Sequence, residues 1–389
     1  MRIGIGLMTG TSCDGLDCSI VEFSENKRLV LEKPIFFKSY PFPLDLRAAL
    51  RNAQGGKLDA ISLFEVNLKY SQFLGTQVSR IVRKLKLSPR KTFLAVHGQT
   101  VWHQPPVRNR QGYSVQLLDP AILRKETGLT VISSFRQLDM ALNGHGAPMV
   151  PYYHYLRARS LKVKEPFVML NVGGIANATY VGKSEKSVIA FDSGPGNVLI
   201  DLATESATKG RLKFDAGGKL AERYLDYAYS KKGVLAKVLR ETHYFHEKPP
   251  KSTGRELFNE EFLVKIPGTG KKQIACATLF TAMTVADGLF QFFNDGFSRI
   301  YVAGGGSKNP FLMKLLLKEV SIRSQKKVSV EVLPDWFSPA QALESIAFAR
   351  FGYEILKGRK TCLKNVTGAK SDSGGASIFP GDNFFELIR

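Results

Sequence analysis

The sequence predicts an α/β chain assembled from two related halves, and three observations predict it. Apolar, β-patterned runs alternate with stretches of helical periodicity along the 389 residues. Glycine-rich turns sit beside three of those runs: Met8-Thr9-Gly10-Thr11-Ser12-Cys13-Asp14-Gly15, Asn171-Val172-Gly173-Gly174-Ile175-Ala176-Asn177 and Ala303-Gly304-Gly305-Gly306-Ser307. The first two turns each join a pair of β-like runs about half a chain apart, which reads as a structural duplication without an obvious sequence repeat. A turn without β-carbons lets backbone N–H groups converge on one anion. Three such turns point to a nucleotide held between two lobes.

The elements follow in order. Arg2–Met8 and Leu16–Phe23 read as a hairpin around the first turn. Residues 44–53 and 58–86 carry helical periodicity, and Thr92–Val96 is a short strand ending in His97-Gly98-Gln99-Thr100. Tyr113–Leu118 reads as a strand, and Asp119-Pro120 has the form of a helix start with a carboxylate cap. Leu129–Ser133 is a further strand. Phe167–Val172 and Ala176–Val181 repeat the strand–turn–strand pattern around Gly173-Gly174. Helices are expected near 196–206, 216–229 and 275–295, then strand Arg299–Ala303, a helix opened by Asn309-Pro310, and a helix over 338–357. The stretch 242–256 and the tail after Lys357 read as irregular. No linker is long enough to separate independent domains, so the lobes are expected to share a cleft.

Composition bounds the function. A chain that is 44% hydrophobic and 23% charged is an ordinary soluble globular protein of two or three domains. No signal-peptide pattern and no run approaching a membrane span is read. Cys13, Cys18, Cys276 and Cys362 lack metal or disulfide spacing and fit free thiols in a reducing cytoplasm. The formal charge of +21 is spread through nearly every segment. It matches a basic surface that attracts anionic small substrates rather than a nucleic-acid site, for which no signature accompanies it.

Phosphoryl transfer needs a nucleotide anchor, charge neutralisation and a group that activates the nucleophile. The first turn offers N–H groups with the Thr11 and Ser12 hydroxyls. Asp14 and Asp17 flank it, either to orient a hydrated Mg²⁺ or to cap the turn. It is neither a Walker loop, lacking Gly-Lys-Ser/Thr, nor a dinucleotide fingerprint, since a strand follows. Asp192, ending the apolar run Val188–Phe191, is either a general base or a helix cap. The basic stretch Lys248–Glu256 is either a substrate loop or a solvated connection. His97 and His103 fit hydrogen bonding better than metal ligation.

These segments together resemble the 1,6-anhydro-N-acetylmuramic acid kinase family, nearly end to end. The motifs are GLMTGTSCDGLD (6–17), HGQT (97–100), LLDPAIL (117–123), GAPMVP (146–151), LNVGGIAN (170–177), FDSGPGN (191–197), KPPKSTGRELFN (248–259) and VAGGGSKNP (302–310), with a small-residue helix around Glu344. The resemblance implies the two-lobed, ribonuclease H-like ATPase fold of actin, sugar kinases and heat-shock chaperones, with a central ATP cleft. It implies a first lobe over 1–134, a second over 135–357, and a segment 358–389 packing back on the first. It implies ATP and Mg²⁺ as cofactors, a cytoplasmic setting in cell-wall sugar recycling, a possible homodimer, and neither a nucleic-acid nor a membrane partner.

By the same resemblance, Asp192 is the base and Glu344 its helper. Gly10, Thr11, Ser12, Cys13, Asp14, Gly15, Leu16, Asp17, Gly173, Gly174, Gly304, Gly305, Gly306 and Asn309 hold ATP, with Asp14 reaching Mg²⁺ through water. His97, Thr100, Asp119, Arg136 and Asn177 bind the sugar. Water opens the 1,6-anhydro ring while the freed 6-oxygen takes the γ-phosphoryl group. Three departures stand out. Ser134-Phe135-Arg136 replaces Asp-Phe-Arg, Asn143-Gly144-His145-Gly146 replaces Gly-Gly-Gln-Gly, and Cys13 replaces an aliphatic residue. The rivals are a kinase of another anhydro sugar such as levoglucosan, a non-catalytic ATP-binding sensor on the same fold, and a nucleic-acid binder resting on charge alone.

Overall fold

The computed structural model describes residues 1–26, 29–56, 58–107, 110–293 and 296–389. The chain divides into two compact units, Met1–Val163 with Gln341–Arg389, and Lys164–Ala340.

Unit 1 contains β1 (Arg2–Met8), β2 (Gly15–Asn26), β3 (Leu29–Pro41), β4 (Thr92–Val96), β5 (Gln99–Gln104), β6 (Tyr113–Leu117) and β7 (Thr130–Ser133). The main sheet runs β7-β4-β1-β2-β3. Pairing is antiparallel from β1 through β2 to β3 and parallel from β1 through β4 to β7. β5 and β6 form a separate two-stranded ribbon. Helix Ala60–Lys84 covers one sheet face with Val66, Tyr70, Leu74, Val78 and Ile81 buried against Ile5, Leu7, Leu94 and Val96. Its spacing of apolar positions every three or four residues produces that single buried face.

Unit 2 contains β8 (Phe167–Val172), β9 (Ile175–Val181), β10 (Ile189–Pro195), β11 (Arg299–Ala303) and β12 (Ser329–Val332). The order β10-β9-β8-β11-β12 repeats that of unit 1, again with three antiparallel strands followed by parallel ones. The duplication anticipated from the paired hairpins is therefore a duplication of sheet topology, that of the ribonuclease H-like fold of actin-like ATPases and sugar kinases. Helix Lys271–Phe293 forms the centre of this unit's core. It is long and apolar enough to cross a membrane by length and composition, contrary to the sequence reading, but 83% of its most apolar window is buried inside the protein. The expected helix end at 294–295 lies outside the described residues.

A last strand, β13 (Ser377–Phe379), returns to unit 1 and pairs antiparallel with β7. The irregular tail thus carries a strand and two short helices, Lys364–Thr367 and Phe384–Ile388. The helix expected at 216–229 starts only at Lys219, because Gly217 and Gly218 both take positive φ, and is broken at Tyr224 (φ −119°) into Lys219–Glu222 and Leu225–Ser230. A further helix, Lys232–Glu241, follows it.

The unit boundaries fall at 163/164 and 340/341 instead of 134/135 and 357/358. Buried polar contacts are the reason. Helix Val150–Ser160 is tied to β3 through Tyr153 Oη donating to Glu32 Oε1 (3.0 Å), Arg157 facing the same carboxylate (3.2 Å) and Ser160 Oγ donating to the Val30 carbonyl (2.6 Å). Helix Leu343–Leu356 joins the same carboxylate through Arg350 Nη1 at 2.8 Å. It lies so close to β1 that a Cβ on Gly6 would come within 1.8 Å of the Ser345 carbonyl oxygen. Glu344 therefore belongs to unit 1, not to the second lobe expected over 135–357.

Candidate active site

In unit 2, Asp192 sits on β10 where the register with β9 shifts between Asp192 and Gly194. A bulge there bends the strand and re-aims its side chains. Asp192 pairs with Asn177, which pairs with Asn171. Directly opposed residues share a sheet face, so two amides and a carboxylate form one polar row. The helix that follows, Val198–Ala207, is flanked by Asn197, so capping is not the role of Asp192.

Three contacts fix this aspartate. Its backbone N–H donates to the Lys251 carbonyl (3.1 Å), its carbonyl accepts from Tyr244 Oη (2.7 Å), and Oδ2 accepts from the Thr253 N–H (3.0 Å). Burial pushes its pKa up to about 6, the Thr253 N–H opposes the rise, nearby Glu256 adds to it and Lys251 opposes it. A carboxyl titrating near 6 is ionised at neutral pH yet basic enough to accept a proton.

The second and third glycine turns meet beside this row. Gly196 and Asn197 donate backbone N–H groups to the Gly174 and Gly173 carbonyls (2.8 and 2.7 Å), and Asn197 Nδ2 donates to the Val172 carbonyl (3.1 Å). Gly304, at φ 81°, leaves no room for a side chain. A Cβ there would lie 2.6 Å from both Asn171 Oδ1 and the Val172 carbonyl oxygen. Gly305 is exposed and Gly306 buried. A recess of about 280 Å³ opens next to them, lined in part by Asn197, Asp215, Gly217, Gly305, Lys308 and Asn309. Asn309 is buried and its side chain caps helix Pro310–Arg323, accepting from the Leu312 N–H at 3.1 Å. It shapes the recess as a cap.

In unit 1, the first turn exposes Gly10, Thr11, Ser12 and Asp14, whereas Cys13 and Leu16 are wholly buried in the core. Cys13 at φ 52° closes the turn through its N–H on the Gly10 carbonyl (3.2 Å). Its side chain and that of Leu16 therefore serve packing, leaving only their backbone to face a ligand. Gly15 is required by β3, since a Cβ would lie 2.4 Å from the Tyr40 carbonyl oxygen. The following helix, Leu44–Ala53, grips the turn. Arg47 pairs with the Asp14 carboxylate, Arg51 lies 3.8 Å from it, and Gln54 Nε2 donates to the Thr11 carbonyl (2.9 Å).

Arg136 donates through Nε to His97 Nε2 (2.9 Å) and through Nη1 to the Gly146 carbonyl (2.8 Å). Among the described residues no partner is recorded for Nη2. His97 is buried, its Nδ1 lies 2.8 Å from the Gly98 carbonyl, and burial with the Arg136 charge pushes its pKa down to about 3. It stays neutral, with the Nδ1 proton donated to Gly98 and Nε2 accepting. Both ring nitrogens are used, so His97 acts by holding Arg136. Behind them the buried Asp139 carboxylate accepts from the Gly146 N–H (2.8 Å) and Thr367 Oγ1 (2.7 Å).

Glu344, in the first turn of its helix, is solvent-accessible but recessed. Surrounding protein raises its pKa, Asp17 adds to the rise and Arg136 opposes it. Asp17 accepts from Ser39 Oγ. Thr100 is half-buried and accepts from Gln116 Nε2 (3.4 Å). The Asp119 carboxylate caps helix Pro120–Thr127, accepting from the Ala121 N–H (2.9 Å), so its side chain is committed to the fold.

Two groups went unread in the sequence. Tyr244, Lys251 and Glu256 surround Asp192 although Lys248–Glu256 left a solvated loop open as an alternative. Arg47 and Arg51 grip the first turn, and their spacing of four residues on the helix after the hairpin was the available signal. No cluster of three His, Cys, Asp or Glu is found among the described residues. Asp14, neutralised by two guanidinium groups, does not fit a direct Mg²⁺ ligand.

A family profile, anhydro-N-acetylmuramic acid kinase, matches residues 2–381. The anhydro-N-acetylmuramic acid kinase of Acidithiobacillus ferrooxidans is 32% identical, over 99% of this chain and 94% of its own. That of Microcystis aeruginosa is 32% identical over 94% of this chain and 97% of its own. That of Coxiella burnetii is 33% identical over 98% of each. With a match across nearly its whole length, this chain belongs to the anhydro-N-acetylmuramic acid kinase family.

Proposed function

We propose that this protein is an ATP-dependent kinase that hydrolytically opens 1,6-anhydro-N-acetylmuramic acid and phosphorylates its 6-oxygen, giving N-acetylmuramic acid 6-phosphate in cell-wall sugar recycling. The observation that carries the mechanism is the half-buried Asp192 beside the second glycine turn, its backbone fixed by Lys251 and Tyr244, its carboxylate accepting from the Thr253 N–H and its pKa pushed up to about 6.

Asp192 accepts a proton from water as the water oxygen bonds to the anomeric carbon. The bond from that carbon to the bridging 6-oxygen breaks, and the 6-oxygen takes the γ-phosphoryl group as ADP leaves. Phosphoryl transfer quenches the charge on the leaving oxygen, so no separate acid is needed, unlike an inverting glycosidase with its acid and base carboxyls. Glu344 orients the water. The free Nη2 of Arg136 takes the lactyl carboxylate in a charge-assisted hydrogen bond, with His97 holding the guanidinium in place. Thr100 and Asn177 supply polar contacts to the sugar. Asp119 acts only through the helix it caps.

The exposed backbone of Gly10, Thr11 and Ser12 receives phosphate oxygens, with Arg47 and Arg51 adding positive charge. Gly173, Gly174 and the Gly304–Gly306 turn bound the nucleotide, whose base and ribose fit the neighbouring recess. Mg²⁺ would accompany ATP as its phosphate counterion, with the arginine-paired Asp14 reaching it only through water. The setting is cytoplasmic.

The test is ADP release with Mg·ATP, with and without the anhydro sugar, followed by mass spectrometry of the sugar. Gain of one water and one phosphate supports the reading. Unchanged 1,6-anhydro-N-acetylmuramic acid beside phosphorylated levoglucosan would replace the substrate, and background ADP with both sugars would overturn the enzyme reading.

A further inference from the structure

Lys251 is an unusual lysine. It is 8% exposed, and among the described residues no carboxylate lies within ion-pair distance of it. Burying an unpaired cation is costly. Its ammonium instead donates to the Tyr244 and Phe245 carbonyls (3.0 and 3.2 Å). Three rings close around it, with centroids at 4.6 Å (Tyr244), 4.9 Å (Phe292) and 5.7 Å (Phe191). Electron-rich ring faces and carbonyl dipoles hold an ammonium away from water.

The same two chain segments hold Asp192. Tyr244 reaches it through the phenol hydroxyl, and residues 251–253 reach it through the Lys251 carbonyl and the Thr253 N–H. The Lys251 ammonium ties these segments to each other and closes a ring of contacts around the carboxylate. Removing it takes the ammonium donor from the Phe245 carbonyl, leaves the Tyr244 carbonyl with only the Glu247 N–H (3.2 Å), and frees both segments.

We propose that Lys251 is a positioning residue for Asp192: its ammonium ties together the two segments that hold this residue and places a positive charge beside it. This rests on the assignment of Asp192 as the base. The charged and titratable groups facing the pair are Glu247 and Asp287 toward Lys251, Glu256 toward Asp192, and the Tyr244 phenol between them. Burial lowers the Lys251 pKa to about 8, against the pull of Glu247, Asp287 and Asp192, so the charge is present through the neutral range.

The test is Lys251→Met in the full chain, which keeps side-chain length and removes the charge. Thermal unfolding, KM for ATP and sugar, kcat against pH, and the Asp192 carboxyl titration by ¹³C NMR are measured, the resonance being identified by its loss in Asp192→Asn. The expected result is kcat lowered at least about tenfold with KM for ATP within about threefold, because the damage falls on the base. The acid limb of kcat and the Asp192 titration should both move up by about one pH unit. Both remaining in place would overturn the proposal, whatever happens to kcat. If the variant does not fold, the unmodified enzyme decides: the Asp192 resonance should show a second inflection near pH 8 as Lys251 loses its proton, and a single inflection would overturn it. Turnover retained by Asp192→Asn would sink the base assignment separately, since the NMR titration still reads the coupling of the two groups.

Discussion

Two sheets with the same strand order carry different kinds of site. In unit 1 the β1–β2 turn is exposed from Gly10 to Ser12 and held from outside by arginines on the next helix. In unit 2 the β8–β9 turn is only Gly173-Gly174, and its carbonyls are consumed by Gly196 and Asn197. Both sheets carry a register shift between the second and third strands. In unit 1 it falls mid-strand between Ile20 and Val21, and in unit 2 it falls at Asp192. The scaffold is shared, and chemistry enters where the bulge places a carboxylate and a loop closes over it. In the proposed mechanism unit 1 grips through arginines and backbone, and unit 2 supplies the proton acceptor.

The sharpest way to break that contrast is Asp192→Asn. Turnover should fall by a factor on the order of 10² to 10⁴ while calorimetry finds ATP affinity within a few-fold. The same variant should be more stable than its parent. The folded pKa is raised to about 6 from 3.8, so the folded state disfavours the charged form. That cost is fully present above pH 6, declines as pH falls and disappears below the unfolded value. Denaturant unfolding at pH 8 should show a gain of up to about 3 kcal/mol that vanishes near pH 3. No gain would remove the argument that the carboxylate is held against its own solvation. The acid limb of kcat should likewise lie near pH 6, with none from His97, which stays neutral down to about 3.

Glu32→Ala should damage unit 1 as a structure. It removes the Glu32 carboxylate from buried Arg157 and Arg350, the latter keeping Glu354 at 2.6 Å, and should lower unfolding free energy by about 3–5 kcal/mol. A loss below about 1 kcal/mol would mean the network does not hold the two helices to β3. Arg136→Met comes next. KM for the carboxylate-bearing sugar should rise about ten- to a hundredfold, from a lost charge-assisted bond of about 1.5–3 kcal/mol, with little change for levoglucosan. Equal effects on both sugars would take the lactyl contact away from Arg136.

Gly304→Ala tests the close approach of the second and third turns. Crowding at 2.6 Å together with positive φ should cost about 1–3 kcal/mol and raise KM for ATP. An unchanged KM would detach that turn from the nucleotide. The smallest effect belongs to Asp14→Asn. Its carboxylate is 61% exposed and its pairing with Arg47 is solvent-screened, so stability should change by less than about 1 kcal/mol. A larger loss would make the first turn depend on that pair.

What the sequence determined by itself is what local rules govern. Strand alternation located β1, β4, β8 and β11 to within a residue, Pro after Asp119 and Asn309 located two helix starts, and glycine turns marked where backbones converge. Motif resemblance reached Asp192 and Arg136 because both lie in stretches whose residue order is itself distinctive.

Tertiary structure decided the rest. It assigned helix Leu343–Leu356, with Glu344, to unit 1, because Gly6 and a buried Glu32 receive it. It turned His97 into a support for Arg136 and sent Cys13 and Leu16 into the core. It also gave Lys251 a cage drawn from β10, the 244–245 segment and helix Lys271–Phe293. The physical reason is common to all of these: a side chain's role is fixed by what desolvates it and which donors reach it. The partners of His97, Glu32 and Gly6, and two of the three rings around Lys251, lie tens to hundreds of residues away, where local periodicity carries no information.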